Sequence, residues 1–89
     1  MVDLNVSITG AQGQVCVFSK SVYRCVSGLD TITVVDGETV VLVAYPFPPN
    51  VASSIQAGSQ TFTELSGNVI VAVITPTTDI DVVATFAPS

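Results

Sequence analysis

The sequence predicts an all-β fold, a small antiparallel β-sandwich or partly open barrel of about seven or eight short strands with a cysteine-linked hairpin. Val, Ile and Thr dominate the chain, and Gly and Pro interrupt it at short intervals. No stretch has the apolar periodicity of a helix. The 89 residues form a single domain, whose thin core needs support from a cross-link, a metal or a partner.

The first strands follow from alternation and turn residues. Residues 4–8 alternate between apolar and polar side chains, which predicts a half-buried strand, and residues 10–13 form a turn. Residues 15–18 and 22–26 then face each other across residues 19–21. The pattern therefore indicates a short hairpin that contains both cysteines.

A second hairpin is predicted in the middle of the chain. After a turn at residues 27–30, residues 31–35 form a strand, and Asp36-Gly37 signals a hairpin because Gly supplies the positive φ of a primed turn. The next strand, residues 39–45, ends at residues 46–50, whose three prolines cannot donate hydrogen bonds to a sheet.

The last third of the chain contains one ambiguous segment. Residues 51–58 are either a loop or a short edge strand around Ser54-Ile55-Gln56. Residues 61–65 alternate again, and a turn at residues 66–68 leads into the apolar strand Val69–Ile74. After a break at residues 75–78, the closing strand is predicted at residues 79–86.

Composition excludes several classes of partner. Charged residues make up 10% of the chain, the net charge is −5, and Lys20 and Arg24 are its two basic residues. Two cations are too few to displace phosphate counterions, so we expect no nucleic acid partner and no binding to anionic membranes. No apolar run reaches the roughly 18 residues of a membrane span. The first four residues lack the features of a signal peptide, so either none is used or Met1 has replaced it.

The side chains that most enzymes use are scarce. The chain has no His, so Ser–His and Cys–His nucleophile pairs cannot form, and Lys20 is its single lysine. Two acidic pairs, Asp36 with Glu38 and Asp79 with Asp81, offer fewer oxygens than the six to eight that calcium prefers. We therefore expect no catalytic site, no cofactor and no metal, and interpret the protein as non-enzymatic.

Cys16 and Cys25 form the constellation with the clearest geometry. If Lys20-Ser21 is a two-residue loop, Cys16 faces Cys25 in a non-hydrogen-bonded pair with Cα atoms about 4.5 Å apart, within disulfide range. Phe18 and Tyr23 would then make an aromatic contact beside it. We predict a disulfide, with two buried free thiols as the alternative. A disulfide indicates an oxidising compartment or a hyperthermophilic source.

Both cations lie in this hairpin, Lys20 at its tip and Arg24 on the face opposite the disulfide. They serve either to keep an exposed hairpin soluble or to dock on Asp79 and Asp81 of a neighbouring molecule. A third interpretation is a protease-inhibitor loop, because Lys20-Ser21 lies within a cysteine-closed loop.

The predicted strand at residues 39–45 is apolar on both faces. One face carries Val40, Leu42 and Ala44, and the other carries Val41, Val43 and Tyr45. Either both faces are covered within a sandwich, or one sheet presents Val41, Val43, Tyr45 and Val83 to a neighbouring subunit. The scarcity of lysine, which normally protects exposed sheets and edges, favours the second interpretation.

From Asp36 onward, the order of residues follows a known pattern. It is carried by Gly37-Glu38-Thr39-Val40, Leu42, Ala44, Pro46, Phe62, Ser66-Gly67-Asn68 and Asp79-Ile80-Asp81-Val82-Val83-Ala84-Thr85-Phe86. These residues resemble the divergent InlB B-repeat family of bacterial surface proteins and other extracellular proteins. The resemblance implies a small β-rich module with a spacer or adhesive role.

Together these features predict a self-associating structural subunit of a virion, as a decoration or tail component, or of a surface fibre. Its expected interface comprises Lys20, Arg24, Val41, Val43, Tyr45, Phe47 and Val83. The alternative is an adhesin-type extracellular module that recognises a glycan or protein through Tyr45, Phe47 and the proline loop. Both hypotheses place the protein outside the cell or on a virion surface.

Overall fold

The computed structural model describes residues 1–88 and confirms an all-β fold with a disulfide-linked hairpin. The described chain forms ten strands, more than the sequence predicts, because several are only two to four residues long. The strands are β1 (Val2–Gly10), β2 (Gly13–Phe18), β3 (Tyr23–Val26), β4 (Leu29–Val34), β5 (Val40–Pro46), β6 (Val51–Ala57), β7 (Gln60–Phe62), β8 (Leu65–Ser66), β9 (Val69–Ile74) and β10 (Ile80–Ala87).

The strands form two five-stranded sheets that share one core. Sheet I has the order β4-β1-β10-β6-β7, and sheet II has the order β3-β2-β5-β9-β8. All neighbouring strands are antiparallel except β1 and β10, which pair in parallel over seven residues, from Leu4 opposite Ile80 to Gly10 opposite Phe86. The first and last strands therefore lie side by side at the centre of sheet I.

The core lies between the sheets and follows the period-two alternation of the strands. Its largest fully buried side chains are Leu4, Leu42, Ile55, Ile70 and Phe86. Among the residues that the structure describes, no polar or charged side chain is buried. The core therefore depends on apolar burial, which contributes about 25 cal/mol per Å² of apolar surface removed from water.

Asp36-Gly37 forms a turn, but the predicted hairpin is wrong. Gly37 has a positive φ of 74°, whereas Asp36 does not have the positive φ that a type I′ turn also requires there. The Glu38 N–H donates to the Val35 carbonyl (3.1 Å), and the Gly37 N–H donates to the Pro76 carbonyl (2.8 Å). The turn carries the chain from β4 in sheet I to β5 in sheet II, so the two flanking strands do not pair.

Two other segments differ from their predictions. The ambiguous segment at residues 51–58 contains a full strand, β6, which lies between β10 and β7. Its apolar alternation is interrupted because a register shift between Thr85 and Phe86 of β10 displaces the pairing with β6. The predicted strand at residues 61–65 is divided between β7 in sheet I and β8 in sheet II.

The turn between β1 and β2 packs directly on Phe86. A β-carbon at Gly10 would collide with the Phe86 carbonyl oxygen, and one at Gly13 would lie 2.6 Å from ring atoms. Gly10 also has a φ of 79°, a conformation that favours glycine. The Ala11 N–H donates to the Phe86 carbonyl (2.9 Å). One end of the sandwich is thus closed by backbone lying against a buried aromatic ring.

Candidate interaction surface

The disulfide hairpin has the predicted geometry. Cys16 lies opposite Cys25 and Phe18 opposite Tyr23, with Lys20-Ser21 as a two-residue loop. The Ser19 N–H donates to the Val22 carbonyl (2.8 Å), and the Val22 N–H donates to Ser19 Oγ (3.2 Å). The sulfur atoms are bonded at 2.05 Å, and the Cα atoms are 3.9 Å apart. The Phe18 and Tyr23 ring centroids lie 4.6 Å apart.

The hairpin belongs to a continuous apolar surface on the outside of sheet II, which we call the apolar face. Val15 and Val17 of β2 point into the core, so the residues between and beside them point outward. Residues that lie opposite one another on paired strands point to the same side of the sheet, which identifies the outward residues of β3, β5 and β9. The apolar face comprises Cys16, Phe18, Tyr23, Cys25, Val41, Val43, Tyr45, Val69, Val71 and Val73. It carries no charged side chain.

Burial within the apolar face shows how closely its side chains cover one another. One row crosses four strands, from Cys25 through Cys16 and Val43 to Val71. Cys16 and Val43 are buried although they lie outside the core cluster, which indicates that their neighbours on the face cover them. The outer members remain open to solvent, with 73% exposure at Tyr23 and 57% at Val73.

The outside of sheet I has the opposite character and is called here the polar face. Thr33 Oγ1 donates to Asp3 (2.8 Å), and Thr31 Oγ1 donates to Asn5 (3.0 Å). The Asn5 side-chain amide donates to Asp81 (3.4 Å). Hydrogen-bonded polar pairs thus join β4, β1 and β10, and the sandwich has one polar and one apolar outer surface.

The predicted interface residues do not all lie together. Val41, Val43 and Tyr45 lie on the apolar face, whereas Lys20, at the hairpin tip, lines a groove with the connection between β4 and β5. Val83 pairs with Ser7 and Gln56 on the polar face, so its predicted place in one patch with Val41, Val43 and Tyr45 is wrong. Period-two alternation assigns Val83 to an outward face, but it does not tell which sheet the closing strand joins.

Arg24 is held at an edge of the sandwich. It lies opposite Val17, and Asp30 lies opposite Val6, so both side chains leave their sheets on the core side. Arg24 Nη1 donates to Asp30 Oδ2 (3.0 Å) and connects the edge strand of sheet II to the edge strand of sheet I. This ion pair engages Arg24 within its own chain, and docking of the hairpin cations on Asp79 and Asp81 of a neighbour stays a prediction.

Phe47 lies at the end of the sandwich, two residues beyond Tyr45 and outside the strands that form the apolar face. Its N–H donates to the Gln12 carbonyl (3.1 Å), which also accepts from the Asn50 side-chain amide (3.2 Å). Phe47 lines a groove that also includes Gly28 and Leu29. The predicted interface residues therefore belong to several distinct surfaces.

Comparison with known proteins finds no matching family, no similar characterised protein and no similar solved structure.

Within residues 1–88, no three or more His, Cys, Asp or Glu side chains converge as ligands for a metal ion. The described chain likewise contains no helix of the length and apolarity that a membrane crossing requires.

The predicted interface contains three of the ten residues of the apolar face and misses the other seven. The sequence indicates Phe18, Tyr23 and the disulfide only as contacts within a hairpin, and Val71 and Val73 only as part of an apolar strand. The sequence does contain a signal for an apolar outer surface. A strand with a solvated outer face alternates between apolar and polar residues, whereas Val69–Ile74 is apolar at every position. Only the order of strands in sheet II shows that these residues adjoin Val41 and Val43.

Proposed function

We propose that this protein is a non-enzymatic assembly module that associates with further copies of itself through the apolar face. We further propose that it serves as a subunit of a virion, as a decoration or tail component, or of a surface fibre. The observation that carries the proposal is the uncharged outer surface of sheet II, where Tyr23, Val71 and Val73 are open to solvent.

The difference between the two outer surfaces supports this assignment. Polar side chains of the polar face hydrogen-bond with one another, as in a sheet that faces water, whereas the apolar face has no hydrogen-bonding side chain other than its two tyrosines. The largest contiguous apolar patch on a typical monomer covers about 300–600 Å² and is often a functional surface. Four strands at about 4.8 Å spacing and about five residues at about 3.3 Å rise give the apolar face a plan area of roughly 300 Å².

Charge favours a second copy as the occupant. Each copy has a net charge of −5, so two copies repel each other unless they meet where charges are absent. The outward positions of β2, β3, β5 and β9 provide such a surface. Two apolar faces related by a twofold axis would bury Tyr23, Val71 and Val73 of both copies without bringing carboxylates together.

The size of the apolar face indicates the kind of assembly. A specific interface of standard size buries about 800 Å² on each partner, which is more than the apolar face offers. One face therefore suits a weak dimer or one of several contacts that hold a subunit in a larger structure. The disulfide suits an oxidising location outside the cell. The InlB B-repeat resemblance is consistent with such a location.

Sedimentation velocity over a series of protein concentrations tests the proposal. We expect the apparent mass to rise above the 9.2 kDa of the monomer as the concentration enters the micromolar range. A mass that stays at 9.2 kDa across the whole series would contradict self-association.

A further inference from the structure

The groove at the end of the sandwich lies away from the apolar face and has a different chemistry. Its volume is about 670 Å³, and we call it the end groove. Ser7, Gln12, Ser27, Gly28, Leu29 and Phe47 are among the residues that line it. These come from β1, from the β1–β2, β3–β4 and β5–β6 connections, and from the start of β4.

The bottom of the end groove is formed by tightly packed backbone. Gly10 and Gly13 leave no space for a β-carbon above Phe86, so bare backbone covers the buried ring. The Gln12 carbonyl accepts hydrogen bonds from the Phe47 N–H and from the Asn50 side chain, which ties two of the connections together. A ligand would thus meet a groove that is largely formed before binding, which lowers the entropic cost of association.

The lining combines apolar and neutral polar groups. Leu29 is 82% exposed and Phe47 is 39% exposed, so both offer apolar surface to a ligand. Ser7, Ser27 and Gln12 bring hydroxyl and amide groups to the same groove. No residue that the structure places along this lining is charged, so the groove favours a neutral ligand over an ionic one.

We propose that the end groove binds a neutral carbohydrate, with a pyranose ring against Phe47 and its hydroxyl groups bonded to Gln12, Ser7 and Ser27. The face of an aromatic ring is the negative part of its quadrupole, so it attracts the weakly positive C–H groups of a sugar ring. The sugar hydroxyl groups need both donors and acceptors, which amide and hydroxyl side chains supply. A hydrocarbon ligand would cover those polar groups without giving them hydrogen-bond partners, at a cost in affinity.

The proposal does not depend on self-association, since none of the lining residues belongs to the apolar face. NMR titration of the protein with neutral oligosaccharides of glucose, mannose, galactose and N-acetylglucosamine tests it. We expect the amide signals of Gln12, Gly28 and Phe47 to shift with at least one sugar, with a Kd of about 0.1–1 mM for so shallow a site.

Two substitutions locate the site. A β-carbon at Gly28 would meet no atom within 4 Å, so Gly28→Trp adds a side chain to the groove without a clash at its base and should abolish binding. Phe47→Ala should weaken binding by about tenfold or more. Val73→Ala, on the apolar face and opposite Val41, is the control and should leave binding unchanged.

Three outcomes would overturn the proposal. The first is that no sugar shifts the three amide signals. The second is that the shifts persist in folded Gly28→Trp, with folding verified by an unchanged thermal transition. The third is that a neutral leucine or phenylalanine tripeptide binds in the groove where every sugar fails.

Discussion

The backbone of Gly13 lies against the ring of Phe86, and a β-carbon at position 13 would stand 2.6–2.7 Å from three of the ring atoms. Phe86 is almost fully buried near the end of the last strand, whereas Gly13 begins the second strand. This contact joins two distant parts of the chain and packs sheet II against sheet I. It makes position 13, like position 10, a site at this end of the sandwich where a β-carbon does not fit.

Gly13→Ala is expected to lower the free energy of unfolding by about 1–3 kcal/mol, the usual cost of overpacking a core. Urea denaturation monitored by circular dichroism measures this change. The matched control is Gly28→Ala, which meets no neighbouring atom and should be neutral or slightly stabilising. Equal stability of Gly13→Ala and the unsubstituted protein would show that the Gly13–Phe86 contact is not as tight as described.

Replacing both Cys16 and Cys25 by Ala should lower the free energy of unfolding by about 2–3 kcal/mol. The two residues are nine apart in sequence, and closing a loop of this length removes that much chain entropy from the unfolded state. Thermal unfolding with and without dithiothreitol checks the prediction. The reductant should lower the melting temperature of the unsubstituted protein and leave the Ala variant unchanged; insensitivity of both would contradict it.

Arg24→Ala should cost less than about 1 kcal/mol of stability, since its ion pair with Asp30 is solvent-exposed and such pairs contribute little. Side-chain exposures of 53% for Arg24 and 43% for Asp30 leave the pair open to screening by salt. Urea denaturation at low and high salt measures the effect, with Lys20→Ala as a control. A loss above about 2 kcal/mol would instead assign Arg24 a packing role.

Self-association through the apolar face should persist or strengthen as salt is added. Burial of apolar surface does not depend on charge pairs, whereas docking of Lys20 on carboxylates weakens as salt screens it. Added salt also reduces repulsion between copies that each have a net charge of −5. Sedimentation velocity at low and high sodium chloride concentrations distinguishes apolar self-association from docking of Lys20 on carboxylates. Dissociation at high salt would favour the charge-based hypothesis over the apolar one.

Local features of this fold could be predicted from the sequence because they depend on neighbouring residues. The register that pairs Cys16 with Cys25 follows from counting outward from a two-residue loop. The positive φ of Gly37 and the termination of β5 at the proline loop follow from the conformational limits of single residues.

The arrangement of strands in sheets was not predictable in the same way. The turn at Asp36-Gly37 reverses the chain equally well within a sheet or between sheets, and only long-range packing decides between them. The parallel pairing of β1 with β10 likewise depends on residues about 76 positions apart. The misplaced Val83 and the incomplete set of residues on the apolar face both follow from this missing strand order.

The central claim is that the apolar face holds copies of this protein together, and a pair of matched substitutions tests it most directly. Val73→Lys places a charge on the apolar face, whereas Val83→Lys places the same charge on the polar face. Sedimentation velocity of both variants and the unsubstituted protein, at equal micromolar concentration, compares their masses. Assembly that is lost in Val73→Lys and kept in Val83→Lys is the predicted result. Equal assembly in all three proteins, or loss in Val83→Lys alone, would contradict the claim.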